Sequence, residues 1–138
     1  MNKQTIASAL FGLCVAATQA AVINIDNAEL TRLAASGVAV VDIRTEPEWK
    51  ATGVIAGSKL LTFVDEKGRI DSSGWLEKIK SVAKPEQPII LICRSGNRSV
   101  AATQFLSQQA GYKTVYNAQG GMNAWVKEGR SIIAPKIM

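Results

Sequence analysis

Residues 88–99 read PIILICRSGNRS and join a strand pattern, a cysteine and the beginning of a helix pattern. The aliphatic run 89–92 is typical of a strand that is buried on both faces of a sheet. Cys93 comes at the carboxyl end of that run, and a short polar loop then leads into a helical pattern. In open α/β sheets, functional sites lie beyond the carboxyl ends of the strands. The stretch therefore predicts a thiol at a strand end, next to the beginning of a helix.

The rest of the chain alternates between strand and helix patterns on both sides of this stretch. Helices are predicted after the capping pattern at Asp26, at Pro47, from Ser72 or Ser73, after the cysteine loop, and from Gly120. The predicted strands cover residues 22–25, 38–43, 59–63, 88–92 and 114–116. Because strands that alternate with helices form parallel sheets, we predict an α/β fold with a central parallel sheet and helices on both faces.

Aromatic residues mark the buried faces of the predicted helices. Trp49, Trp75 and Trp125 are expected to anchor their helices in the core, and Met122 and Val126 are expected to point inward beside Trp125. No cage of aromatic residues for a cofactor is expected from this spacing.

The first twenty residues have the pattern of a secretory signal peptide. Lys3 precedes the apolar stretch 6–17, and small residues come before the expected cleavage after Ala20. The apolar stretch falls short of the roughly 18 to 20 residues that a membrane-spanning helix needs. We expect residues 1–20 to be the signal peptide and residues 21–138 to form one periplasmic domain without a membrane anchor. A first core helix or an anchor is the alternative.

Composition and charge exclude several classes of enzyme and ligand. The chain has 16 Lys and Arg against 11 Asp and Glu, and these cations are scattered, so we expect a small anionic partner and no nucleic acid. Histidine is absent, which excludes cysteine–histidine proteases, histidine zinc sites and serine–histidine triads. No metal and no cofactor are expected. Cys14 would be removed with the signal peptide, which leaves Cys93 as the single thiol.

The loop after Cys93 has features that favour a nucleophilic thiolate. A neutral thiol is a weaker nucleophile than a thiolate, and no histidine is present to remove the proton. The thiolate of Cys93 must therefore be stabilised by electrostatics. A helix N-terminus, inward-facing backbone N–H groups and two arginines can do this together. Gly96 lets the chain turn with a positive φ. The residues expected to bind substrate beside catalytic Cys93 are Arg94, Ser95, Gly96, Asn97, Arg98 and Ser99.

The loop length bears on which anion is bound. A phosphatase loop of the Cys-x5-Arg type would have its arginine at position 99, where this chain has Ser99, and Arg98 comes one residue early. We therefore expect a smaller ring of amides that suits a single sulfur atom. An ordinary strand-to-helix turn around an inert cysteine is the alternative without function.

These motifs together resemble the rhodanese family of sulfurtransferases, in particular its exported bacterial single-domain members. The resemblance covers nearly all of the chain after residue 20. One departure is Val54, where the family commonly has a histidine in its Gly-His-Ile-Pro-Gly-Ala turn. The motifs that carry the resemblance are residues 41–44 with Glu46 and Trp49, the turn 53–58, the loop 93–98, residues 111–115 and residues 120–125.

The resemblance implies a two-step transfer of sulfur. The Cys93 thiolate would take the outer sulfur of thiosulfate or a similar donor, and the persulfide would pass it to a thiol or cyanide. Arg94 and Arg98 would attract the anionic donor. Asp42 and Arg44 would form a structural pair near the site. The donor and acceptor found in the cell stay open.

Three other functions are considered. The first is a persulfide carrier between proteins, which should also have an exposed apolar docking patch. The second is a phosphatase or arsenate reductase on the same fold, which the loop length disfavours. The third is a domain kept only for interaction, which the presence of Cys93 disfavours.

Overall fold

A computed structural model describes residues 22–137 of the chain, so the expected signal peptide lies outside the described residues. Strands and helices alternate throughout. The elements are β1 (Ile23–Ile25), α1 (Asn27–Ala35), β2 (Ala39–Asp42), α2 (Glu46–Thr52), β3 (Lys59–Leu60), α3 (Ser72–Val82), β4 (Ile89–Ile92), α4 (Asn97–Gln108), β5 (Val115–Ala118) and α5 (Gly121–Lys127).

The five strands form one sheet in the order β1-β5-β4-β2-β3, and every pair is parallel. Strand β4 lies in the middle, and all its residues are buried. One apolar cluster packs against a face of the sheet with Trp75, Ile79 and Leu106 from α3 and α4. A second cluster brings Leu30 and Met122 of α1 and α5 to the other face. The predicted α/β fold with helices on both faces is confirmed.

Helix beginnings follow the side-chain caps that the sequence provides. The carboxylate of Asp26 accepts a hydrogen bond from the backbone N–H of Glu29 at 2.8 Å and begins α1. Asp71 accepts in the same way from the N–H of Gly74 at 3.1 Å and begins α3. These caps satisfy backbone donors that the first turn of a helix leaves free.

The predicted side of Val126 and the predicted end of the third strand were wrong, and the bounds of other strands differ by one or two residues. Val126 is 45% exposed, although it was expected to point inward. Met122 and Trp125 lie three positions apart and share the buried face of α5, and the next residue is turned away by about 100°. Strand β3 ends at Leu60, three residues before the predicted end at residue 63. The N–H of Phe63 still donates to the carbonyl of Ile43.

The expected core positions of the tryptophans are confirmed, because Trp49, Trp75 and Trp125 are all buried. The indole N–H of Trp75 donates to the carbonyl of Leu61, and that of Trp125 donates to the carbonyl of Ser131. Between residues 22 and 137, none of the helices combines the length and the apolar character that crossing a bilayer requires.

The turn that departs from the family pattern is held by the C-terminal segment. Val54 is buried, and it exchanges two backbone hydrogen bonds of 2.9 and 2.8 Å with Ile133. A buried valine therefore stands where the family commonly has histidine, and an antiparallel bridge anchors its backbone.

Candidate active site

The sulfur of Cys93 lies directly beyond the carboxyl end of β4, surrounded by hydrogen-bond donors. The backbone N–H groups of Gly96 and Ser99 donate to Sγ at 3.1 and 3.4 Å. The hydroxyl oxygen of Ser99 lies 3.3 Å from the same sulfur. Because the two N–H groups and the N-terminus of α4 present positive ends of dipoles, they stabilise a negative charge on the sulfur.

Gly96 allows the backbone to turn so that its N–H groups face the sulfur of Cys93. Its φ is +100°, in the left-handed region that favours glycine, and it is the residue that precedes α4. The left-handed turn brings the N–H of Gly96 back onto the sulfur of Cys93, three residues earlier. The predicted role of this glycine as the turning point of the loop agrees with its conformation.

The remaining loop residues differ in their surroundings. Arg94, Ser95 and Asn97 are exposed, and Cys93 and Ser99 are buried. Cys93 is only 1% exposed. The structure therefore brings Cys93, Gly96 and Ser99 together around one point, and it leaves the side chains of Arg94, Ser95 and Asn97 at the surface.

Arg98 is held in an ion pair that the sequence did not reveal. Its guanidinium donates to both carboxylate oxygens of Glu48, at 2.6 and 2.7 Å. This pairing lowers the pKa of Glu48 from 4.5 to about 2 and raises the pKa of Arg98. Since the carboxyl group has the lower pKa in the folded protein, the stabilisation of the folded state by this pair is complete above pH 4.5. It declines as the pH falls below that value and is lost once the pH has fallen through about 2.

The ion pair has two consequences for the site. The charge of Arg98 is compensated by Glu48, so Arg98 is not a free cation facing the donor. The contact also joins the loop to the beginning of α2, where Glu48 accepts a hydrogen bond from the hydroxyl of Thr45. The two residues are fifty positions apart, and no local spacing indicates the pair.

Asp42 and Arg44 form a second, fully buried ion pair at the end of β2, next to the C-terminal end of α2. The carboxylate of Asp42 accepts from the guanidinium at 2.8 Å, and the two side chains are at most 1% exposed. The same guanidinium donates to the hydroxyl of Thr52 at 2.7 Å and to the carbonyl of Gly53 at 3.0 Å. Arg44 thus fastens the end of α2 to β2 and supports the helix that holds Glu48.

A pocket of about 670 Å³ lies beside the loop, between α2 and α5. Pro47, Ala51 and Met122 give it an apolar wall, and Arg94 and Lys127 place cations at it. This composition suits a ligand with an apolar part and a negative charge. Within residues 22–137, no three acidic or cysteine side chains come together in a way that could hold a metal ion.

The N-terminus of α5 is hydrogen-bonded to the backbone of the cysteine loop. The N–H of Met122 donates to the carbonyl of Cys93 at 2.8 Å, and the N–H of Asn123 donates to the carbonyl of Arg94 at 2.9 Å. Gly121 has a φ of +57°, and a Cβ at this position would lie 2.5 Å from the carbonyl oxygen of Cys93. The absence of a side chain is therefore what allows α5 to contact the loop.

Replacing Gly121 by alanine is expected to lower the free energy of unfolding by about 2 to 5 kcal/mol, because a left-handed conformation and a clash with the backbone add up. Gly129→Ala is the matched control, since Gly129 also has a positive φ but has open space around it. The control should lose only about 1 to 2 kcal/mol. Urea unfolding measures both, and equal losses would show that the contact with the loop does not matter.

The chain is similar to known proteins of one family. The family model of the rhodanese-like domain matches residues 26–128. Thiosulfate sulfurtransferase 18 of Arabidopsis thaliana is 34% identical over 109 residues, which are 76% of this chain and 79% of the relative. The thiosulfate sulfurtransferase GlpE of Pseudomonas paraeruginosa is 33% identical over 94 residues, which are 68% of this chain and 74% of that enzyme.

A solved structure shows the same fold. A rhodanese-related protein from Thermoplasma volcanium superposes with a TM-score of 0.62 at 27% identity, covering 82% of this chain and 99% of that one. The family match extends from the cap of α1 to the end of α5, and the cysteine loop lies within it. The chain belongs to the rhodanese family.

Proposed function

We propose that this protein is a sulfurtransferase that carries sulfur on Cys93, with thiosulfate or a similar anion as donor and a thiol or cyanide as acceptor. One observation carries the proposal: the buried sulfur is contacted by two backbone N–H groups and one hydroxyl. The two N–H donors would stabilise the thiolate that attacks the sulfur donor, without a general base. The names of the relatives support the sulfurtransferase class.

The proposed reaction has two steps. The Cys93 thiolate attacks the outer sulfur of thiosulfate, the sulfur–sulfur bond of the donor breaks, and its electron pair leaves with sulfite. The enzyme then holds a persulfide whose terminal sulfur is negatively charged. N–H groups of the loop 94–99 would stabilise that charge in the manner of an oxyanion hole. In the second step the acceptor attacks the terminal sulfur, and the Cys93 thiolate leaves.

The charges around the loop support an anionic donor. Glu48 compensates Arg98, whereas Arg94 is exposed and lines the pocket beside the loop. Lys127 adds a second cation to that pocket. Arg94 is therefore proposed to attract the donor, and Arg98 to hold the loop in place for it.

The size of the pocket supports an organic or protein thiol as the acceptor in the cell. A volume of about 670 Å³ far exceeds what cyanide or thiosulfate occupies. A persulfide carrier that passes sulfur to a partner protein is the second candidate, and this pocket is the observation that favours it.

A phosphatase is disfavoured because Ser99, which contacts the sulfur, stands where the Cys-x5-Arg loop needs arginine.

The proposal predicts that thiosulfate alone loads the protein with one sulfur atom. Intact mass spectrometry of protein treated with thiosulfate, without reducing agent, should show this adduct, and an equal amount of sulfite should appear. Peptide mapping should locate the sulfur on Cys93. Failure to form the adduct would contradict the thiosulfate reaction. Loading by a persulfide-bearing protein but not by thiosulfate would instead establish the carrier.

We further propose that the protein works in the periplasm. The support is the signal-peptide pattern of residues 1–20, with its apolar stretch 6–17 and small residues before Ala20.

A further inference from the structure

A chain of side-chain contacts runs from the sulfur of Cys93 to the surface at β1. The hydroxyl of Ser99, next to the sulfur, donates to the amide oxygen of Asn117 on β5. The amide nitrogen of Asn117 donates to the amide oxygen of Asn24 at 2.9 Å. Ser99 and Asn117 are 0% and 3% exposed, whereas Asn24 is exposed.

The single hydrogen of the Ser99 hydroxyl has three acceptors within reach. These are the sulfur of Cys93 at 3.3 Å, the carbonyl of Gly96 at 3.1 Å and the amide oxygen of Asn117. When the hydrogen points at Asn117, the Ser99 oxygen can accept the S–H of a neutral Cys93. This arrangement suits the thiol. It leaves a thiolate without the hydroxyl donor.

Rotation of the Asn117 amide would reverse the donor and acceptor in each hydrogen bond between Ser99, Asn117 and Asn24. An amide presents an acceptor on one side and a donor on the other in nearly the same shape, so half a turn exchanges the two. The amide nitrogen of Asn117 would then donate to the Ser99 oxygen, which leaves the hydroxyl hydrogen to point at the sulfur. Asn24 has to turn at the same time, and as an exposed residue it has room to do so.

We propose that Asn117 is a positioning residue that acts on Cys93 through the Ser99 hydroxyl. When the sulfur is negatively charged, the Asn117 amide donates to Ser99 and directs its hydrogen to the sulfur. When the sulfur is protonated, the amide accepts that hydrogen. This inference deepens the proposed function, because it rests on Cys93 acting as a thiolate.

Alkylation of Cys93 measures the thiolate without any sulfur donor. The protein is treated with iodoacetamide at pH 7, and the rate is followed by mass on the peptide that contains Cys93. Ser99→Ala should slow alkylation about tenfold, the effect of one lost hydrogen bond to a charged group. Asn117→Leu should slow it about fivefold, because the hydroxyl hydrogen is then free to turn to the carbonyl of Gly96.

The double variant separates a positioning role from a merely structural one. If Asn117 acts through Ser99, adding Asn117→Leu to Ser99→Ala should change the alkylation rate by less than about twofold, since coupled residues are not additive. Equal effects of Asn117→Leu in both backgrounds would overturn the proposal, as would an unchanged or faster rate in Asn117→Leu alone.

A second variant covers the case in which Asn117→Leu fails to fold. Asn117→Asp has nearly the same shape, and its ionised carboxylate can only accept, so at a pH where this carboxyl is ionised it keeps the hydrogen of Ser99 and repels the thiolate. It should slow alkylation by more than about tenfold. Alkylation at the wild-type rate in this variant would overturn the proposal.

Sulfur uptake from thiosulfate distinguishes this inference from the proposed function. Asn117 does not line the pocket beside the loop, so Asn117→Leu should lower kcat and leave the KM for thiosulfate within about twofold. A raised KM with unchanged kcat would contradict the positioning role. Coupled alkylation rates without sulfur uptake would support the inference and defeat the thiosulfate function, and sulfur uptake without coupling would do the reverse.

Discussion

Replacing Cys93 by serine is expected to abolish sulfur uptake from thiosulfate. The serine oxygen would occupy the position of the sulfur and accept from the same N–H groups of Gly96 and Ser99. A serine hydroxyl, however, stays neutral without a base, and this chain has no histidine to act as one. The fold should be retained while the reaction is lost. Intact mass and sulfite release after thiosulfate treatment measure this outcome.

Ser107→Ala is the control, because it removes a hydroxyl on α4 that donates to the carbonyl of Gln104 and is not among the groups that contact the sulfur. Its sulfur uptake should equal that of the unchanged protein. Sulfur uptake by Cys93→Ser at the normal level would show that the acceptor of the sulfur lies elsewhere, and the proposed mechanism would be wrong.

Replacing Arg44 by methionine is expected to cause the largest loss of stability, about 3 to 5 kcal/mol of unfolding free energy. The change would leave the carboxylate of Asp42 buried without its partner, at 0% exposure of the side chain. It would also remove the donors to Thr52 and to the carbonyl of Gly53 at the end of α2. Urea unfolding measures the loss through the transition midpoint.

Arg32→Met provides the control for the loss of an ion pair. Arg32 pairs with Glu29 on α1, where the two side chains are 67% and 39% exposed, so its removal should leave the urea transition midpoint nearly unchanged. Similar losses in the two variants would show that burial of the Asp42 pair does not matter. Adding Asp42→Leu to Arg44→Met should recover part of the stability, because no unpaired charge then remains.

The stability of this pair also bears on the active site. Arg44 fastens α2, and α2 carries the Glu48 that holds Arg98 of the loop. Loss of Arg44 should therefore disturb the loop indirectly, although Arg44 itself makes none of the contacts to the sulfur that the structure describes.

Local patterns were sufficient to predict much of the site. The aliphatic run before Cys93 predicted a buried strand, and Gly96 predicted a turn with a positive φ. Both predictions concern neighbouring residues, whose geometry depends on backbone sterics and hydrophobic burial. The same holds for the cap at Asp26, which acts within one helical turn.

Contacts between distant residues were not predicted. Glu48 and Arg98 meet because α2 and the cysteine loop follow neighbouring parallel strands, and their side chains extend toward each other from there. Asn117 reaches Ser99 because β5 pairs with β4. Val126 was placed on the wrong face because a seven-residue helix gives too few turns to define its buried side.

The alternation of strands and helices, the parallel sheet and the loop that bends around Cys93 follow from local sequence patterns, because periodicity and the conformational freedom of glycine specify them. Which charged side chains at the site are paired and which are exposed depends on the packed fold. Whether an arginine faces a substrate or a carboxylate depends on what the packed sheet brings next to it, and here it places Glu48 against Arg98 and leaves Arg94 exposed.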